Sequence, residues 1–279
     1  MEKLVKWLIF RLRGTWIHHA AWAYKNPIPK ARSRGDGNQV SVNDRNASYD
    51  RQTIEVMFKV LRQKSNCIDV GAHCGDILQH MISISPRGRH FAFEPLPHVS
   101  QKLLEKFPRV VVHQAAVSDS SGESEFQFVE NDPGYSGLRL RLYDRPDPKI
   151  TTIRVRMVTL DETIPSTDKI AFIKIDVEGG ELDVMKGAIE TIRRGKPVIV
   201  FEASSRSTGQ YGVKPDDLYS FVTETLSYEL STMQRWLNRR GAYTREEFHK
   251  NWNQGPEYYF IGVPREKLAS RRSAGTSSF

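Results

Sequence analysis

The sequence predicts an α/β protein: a mostly parallel, twisted sheet with helices on both faces and an inserted β-hairpin. Three observations predict it. From residue 50 onward, short apolar runs of strand length alternate with segments of helical period, the signature of βαβ units. Four of those runs carry or are followed by an acid, at Asp69, Glu94, Asp176 and Glu202. Two segments of period two, 123–129 and 151–158, flank a turn-rich stretch holding Pro133, Gly134, Gly137, Pro146 and Pro148.

Taken in order, residues 3–24 read as a helix, with Leu4, Leu8, Leu12 and Trp16 on one stripe bordered by tryptophans and basic residues. Such a face suits peripheral contact with a membrane surface, where Trp and Lys/Arg sit at headgroup level. It equally suits packing on the domain or on the second subunit of a homodimer. Residues 26–48, with Pro27, Pro29, Gly35 and Gly37, read as a linker, so 1–48 stands apart from a main domain over 49–264. In that domain Ile54, Met57, Phe58 and Leu61 mark a helix. A buried strand follows over 67–70, then a helix over 76–84, a strand over 89–93 and a helix over 99–107. A third strand begins at 110–112 and runs on to 115–119. After the hairpin, 171–175 is apolar except for Lys174, one helix carries Glu181 through Ala188 to Gly195, and a fifth strand covers 198–201. Residues 215–226 read as helix, 228–250 fit no single assignment, and 258–263 is a last strand. The Ser- and Arg-rich tail, 265–279, reads as disordered.

The net charge of +8 sits at the ends. Residues 1–34 carry eight bases and one acid, 265–279 four bases and one acid, so the body is slightly acidic. That disfavours a nucleic-acid groove across the core. Cys67 and Cys74 give neither a disulfide framework nor a metal-ligand spacing, which places the chain in a reducing, cytoplasmic compartment, peripheral at the inner membrane surface if the first helix binds lipid. No apolar run reaches the roughly 18 residues of a membrane span, and the first residues do not form a signal peptide.

In open parallel sheets ligands bind beyond the carboxyl ends of the strands. The loop there reads Asp69-Val70-Gly71-Ala72-His73-Cys74-Gly75, which allows a tight turn and close approach of a ligand, but is not the dinucleotide fingerprint. Glu94 follows the second strand, where a carboxylate can take both hydroxyls of a ribose.

These residues resemble a known family. Asp-x-Gly-x-x-x-Gly with a strand-end acid resembles class I methyltransferases, whose fold is Rossmann-like. Phe93-Glu94-Pro95-Leu96-Pro97, Thr159-Leu160-Asp161, the string Ile173-Lys174-Ile175-Asp176-Val177-Glu178-Gly179-Gly180-Glu181, Met185-Lys186-Gly187-Ala188 and Val200-Phe201-Glu202 look like the FkbM family, over roughly 64–204. His73 stands where the family usually has Asn. The resemblance implies S-adenosyl-L-methionine as cofactor, held by Asp69, Gly71, His73, Gly75 and Glu94, with adenine contacts at Ala116, Ser118 and Asp119 and a contact at Asp176. It also implies O-methylation of a sugar, glycolipid, polysaccharide or other hydroxylated acceptor.

An alcohol needs a base to lose its proton as it attacks. Asp176 is the first expectation for that base, Glu202 the second, with Glu178 beside them. No metal is assigned, since no His or Cys supports one, although Asp176, Glu178 and Glu202 form an alternative ligand set. Glu181 suits a helix start, Asp161 a helix cap, and Lys174 pairing with a strand-end acid. Two other classes compete: an NAD-dependent oxidoreductase, against which the glycine spacing argues, and a non-catalytic cofactor-binding homologue, against which Gly71, Gly75 and Glu94 argue.

Overall fold

The computed structural model describes residues 42–141, 143 and 147–266. The helix expected over 3–24 and all of the expected tail beyond Glu266 lie outside them; Arg265 and Glu266 are helical. The chain forms strands β1 (Asn66–Val70), β2 (His90–Phe93), β3 (Val111–His113), β4 (Ala116–Val117), β5 (Gly122–Val129), β6 (Ile150–Val158), β7 (Ile170–Ile175), β8 (Val198–Glu202), β9 (Tyr228–Thr232) and β10 (Tyr259–Pro264). The helices are α1 (Val42–Val60), α2 (Asp76–Ile84), α3 (Pro97–Lys106), α4 (Leu160–Thr163), α5 (Glu181–Lys186), α6 (Ile189–Gly195), α7 (Pro215–Ser220), α8 (Met233–Leu237) and α9 (Arg245–Gln254).

Seven strands form the main sheet in the order β3-β2-β1-β7-β8-β10-β9, parallel except for β10, which runs antiparallel to β8 and β9. The chain reverses its direction of winding between β1 and β7, and ligand crevices open at such a point. The predicted hairpin is β5 and β6, paired over their full length, with β4 beside β6 in a second, three-stranded sheet.

Alternating side chains of the central strands feed two buried layers. Ile68, Val70, Ile173 and Ile175 pack on one face. Cys67, Phe172, Val198 and Val200 pack on the other, against Tyr49, Ile54 and Met57 of α1 and Leu78 of α2.

Four sequence expectations change. The linker ends before residue 48, because α1 begins at Val42; no glycine or proline interrupts the chain between Gly37 and that helix. The third strand is two, β3 and β4, in different sheets. The helix from Glu181 to Gly195 breaks at Gly187, where a Cβ would lie 2.1 Å from the Ser118 carbonyl oxygen, so the second sheet presses on the helix line. The ambiguous 228–250 resolves into β9, α8 and the first half of α9, the last started by a capping box of Thr244 and Glu247.

Candidate active site

The carboxyl ends of β2, β1, β7 and β8 and the start of β10 lie side by side, because Val70 pairs with Phe93 and Ile175, Ile175 with Phe201, and Glu202 with Tyr259. The next positions along this edge are Glu94, Gly71 and Asp176. They border a cleft of about 580 Å³, a size that suits a small-molecule ligand.

Gly71 has φ 74°, and a Cβ there would lie 1.8 Å from the Asp176 carbonyl oxygen. Only glycine lets the first loop touch the end of β7. Gly75 opens α2 at φ 77°, with Phe107 2.4 Å from where its Cβ would be. His73 has φ 43°. Asn and His are among the side chains most tolerant of that region, which accounts for His at this place. The backbone N–H of His73 donates to Glu94 Oε2 at 3.0 Å, and that of Leu96 to Oε1 at 3.0 Å. Each oxygen keeps a second lone pair, and Glu94 lines the cleft. Burial pushes the Glu94 carboxyl up to about 6 in spite of these bonds.

Asp69 and Lys174 are cross-strand partners. The Lys174 Nζ stands 3.6 Å from Asp69 Oδ1 and 3.2 Å from Asp176 Oδ2, and donates to the Gly71 carbonyl at 3.2 Å. Asp69 is 1% exposed and neither of its oxygens has a hydrogen-bond partner. Burial pushes its carboxyl up to about 6, Lys174 notwithstanding.

The two acids beyond the loop differ in their surroundings. Burial alone would raise the Asp176 carboxyl. Lys174 and the Tyr259 hydroxyl, which donates to Oδ2 at 2.6 Å, outweigh it and hold Asp176 below its usual range. Glu202 has no such partner. Burial and the charges of Asp176 and Glu181 push it up to about 8. Glu178, at φ 63°, is ion-paired with Arg141. Asp176, Glu178 and Glu202 each present an oxygen within 4.8 Å of the others, a set that could hold a metal ion. Lys174 and Arg141 already place cations on two of the three, so the cluster is partly compensated by the chain itself.

Other expected residues take structural places. Glu181 is fully buried; its Oε1 accepts from Val177 at 3.2 Å and Gly179 at 3.0 Å, and Oε2 from Thr208 at 3.2 Å, so it braces the loop after β7. Asp161 caps α6, not its own helix, accepting from the backbone of Glu190 at 3.0 Å and Thr191 at 2.7 Å. Ala116 lines the cleft with Leu96, Phe126 and Leu138, an apolar wall beside Glu94. Ser118 and Asp119 line a second cleft beyond β4, with Arg139 and Tyr211. That cleft adjoins the first, with which it shares Leu138. Sequence reasoning missed Phe126, Leu138 and Tyr259. Tyr259 was open to discovery: an antiparallel last strand starts at the edge where the parallel strands end.

A family profile described as the methyltransferase FkbM domain matches residues 69–241. The hexuronic acid methyltransferase AglP of Haloferax volcanii is 27% identical over 196 residues, 67% of this chain and 73% of AglP. The AMB antimetabolite synthetase AmbE of Pseudomonas aeruginosa is 26% identical over 212 residues, which span 63% of this chain and 10% of AmbE. Among solved structures, the methyltransferase FkbM of Methylobacillus flagellatus aligns with a TM-score of 0.46 at 20% identity, over 73% of this chain and 44% of that one. This chain thus spans less than half of that protein's length. The Aeropyrum pernix fibrillarin with natively bound S-adenosyl-L-methionine aligns with a TM-score of 0.40 at 12% identity, over 76% of this chain and 73% of that one.

Proposed function

The chain belongs to the FkbM family of S-adenosylmethionine-dependent methyltransferases, and from that premise we propose that it methylates an oxygen of a sugar, with Glu202 as the general base. S-adenosylmethionine supplies an electrophilic methyl group on a sulfonium. The residues present fit such a ligand. The Asp69 carboxylate, ion-paired with Lys174 but without a hydrogen-bond donor, suits the ligand's ammonium group, and the unused lone pairs of Glu94 suit the two ribose hydroxyls. Leu96, Ala116, Phe126 and Leu138 offer the adenine an apolar wall. Eight carboxylates and four Lys/Arg side chains line the cleft, an excess of negative charge that favours a cationic cofactor and opposes a nucleic-acid acceptor.

The observation that carries the base assignment is the contrast within one pair. A base works best when its pKa lies near the working pH. Glu202, pushed up to about 8, meets that condition, whereas Asp176 is committed to Lys174 and Tyr259. In this reading Glu202 takes the proton from the acceptor hydroxyl as the oxygen attacks in line. Asp176 and Lys174 fix the charge beside it, and Glu178 with Arg141 borders the acceptor side. Asp176 thereby yields the role that the sequence suggested for it. A hexuronate suits the cleft, because Arg45 and Arg141, the latter paired with Glu178, are among its lining residues and bring guanidinium groups to a sugar carboxylate. The name of AglP supports the same acceptor class.

Mass spectrometry of reactions with S-adenosylmethionine and a panel of free and lipid-linked hexuronates, neutral sugars and phenols tests the proposal. A sugar gaining one methyl group is expected. Methylation of phenols or amines, with no sugar product, would sink the sugar assignment. Peripheral membrane contact and a homodimer rest on residues 3–24, which lie outside the described structure. Among the described residues no helix is long and apolar enough to cross a membrane.

A further inference from the structure

The first turns of α1 and the residues leading into β10 grip each other. Arg45 Nη1 donates to the Pro256 carbonyl at 3.3 Å, and the Tyr49 hydroxyl donates to Glu257 Oε2 at 2.9 Å. The Tyr258 hydroxyl donates to Asn46 Oδ1 at 2.6 Å, and the Tyr258 N–H to the Tyr49 hydroxyl at 3.4 Å. The Tyr49 ring stacks on Tyr259 with centroids 4.9 Å apart and an interplanar angle of 29°. Both halves of this clasp lie outside 69–241, the segment that matches the family. Its product is the placement of Tyr259, paired in register with Glu202 and bonded to Asp176 at 2.6 Å.

We propose that Tyr259 is a positioning residue of the methyl-transfer site: held by the α1 clasp, its hydroxyl fixes the Asp176 carboxylate beside Lys174 and leaves Glu202, which has no donor, to face the acceptor. This rests on the division of roles between Asp176 and Glu202 given above. Two carboxylates this close cannot both ionise freely, and whichever receives a hydrogen-bond donor ionises first. Three observations give Asp176 that donor. Tyr259 starts β10 at the sheet edge, its side chain shares the edge with Glu202 as a cross-strand partner, and Tyr49 fixes its ring. Besides Tyr259, the charged groups around Asp176 are Lys174, Asp69, Glu178, Glu202, Glu181, Arg141 and Asp50. Lys174 and Arg141 act in the same direction as Tyr259 on Asp176, so removing the hydroxyl weakens the bias without abolishing it.

The test reads Asp176 directly and needs no acceptor. In the full chain with carbon-13-labelled aspartate carboxyls, the Asp176 resonance is assigned by its loss in Asp176→Asn and titrated by NMR. Tyr259→Phe keeps the stacked ring and removes only the hydroxyl. Its Asp176 midpoint should rise by about one pH unit, the scale of a hydrogen bond to a charged group. Tyr49→Phe, which loses the bonds to Glu257 and Tyr258, should move it the same way by less. S-adenosylmethionine affinity by calorimetry at neutral pH should stay within about threefold in both, since neither residue contacts Glu94 or Asp69. An Asp176 midpoint unchanged in Tyr259→Phe overturns the proposal. A midpoint that rises while Glu202→Gln retains full methyl transfer leaves the positioning of Asp176 standing and removes Glu202 as base.

Discussion

Replacing Glu202 by Gln should abolish most activity and yet stabilise the unliganded fold at high pH. The carboxyl is raised from 4.5 to about 8 by burial and by the charges of Asp176 and Glu181. At about 1.4 kcal/mol per unit, the ionised Glu202 burdens the folded state by at most about 5 kcal/mol. The side chain keeps some contact with solvent, which reduces this burden to about 2 kcal/mol. The sign follows from the direction of the shift. A group whose folded pKa exceeds its unfolded one favours folding while protonated in both states, and that advantage is lost as pH rises through the folded value. The parent therefore bears the full burden above about pH 8. Gln bears none at any pH. In thermal unfolding without ligand near pH 9, Glu202→Gln should melt roughly 4–8 °C above the parent, and the gap should narrow as pH falls and close below 4.5, where the parent carboxyl is protonated in both the folded and the unfolded state. Methyl transfer should fall on the order of 10²–10⁴-fold, the usual contribution of a general base. A variant that melts below the parent near pH 9, or that transfers methyl groups at the parental rate, would refute the reasoning.

Lys174→Met leaves Asp69 and Asp176 as uncompensated buried acids and should cost about 3–5 kcal/mol in urea unfolding; a parental midpoint would contradict the charge compensation inferred at β1 and β7. Gly71→Ala combines φ 74° with a Cβ 1.8 Å from backbone oxygen and should cost more than about 3 kcal/mol or yield insoluble protein, which melting temperature and yield will show. Glu94→Gln should weaken S-adenosylmethionine binding by about tenfold in calorimetry, since one oxygen acceptor becomes a donor. In the parent, Asp69 and Glu94 are pushed up to about 6, so cofactor affinity should fall as pH drops through that value; a flat profile would exclude both from cofactor binding.

The cofactor side of this site was legible in the sequence because its causes are local. Gly71 follows an apolar run, and the loop must turn where the strand ends. Glu94 follows the next run and stands on the same edge by parallel pairing. Lys174, the sole charge within an apolar strand, had to meet an acid, and the register supplies Asp69 beside it. Local signals also misled where a distant element intervenes. Gly187 reads as tolerable inside a helix until the Ser118 carbonyl beyond β4 presses on it. The backbone angle at His73 explains a residue that composition cannot, because left-handed φ is a property of the loop as folded. The acceptor side is different in kind. Tyr49 meets Glu257 across 208 positions and Asn46 meets Tyr258 across 212, so nothing within a window of the sequence announces that these segments touch. Tyr259, the donor to Asp176, is the next residue along. In Val-Phe-Glu and Lys-Ile-Asp the two acids look equivalent, and the strand-end position nearest the methyl group favours Asp176. Only when β10 runs antiparallel and presents Tyr259 to one acid and not the other do the two become distinct, Asp176 with a donor and a cation beside it and Glu202 with neither.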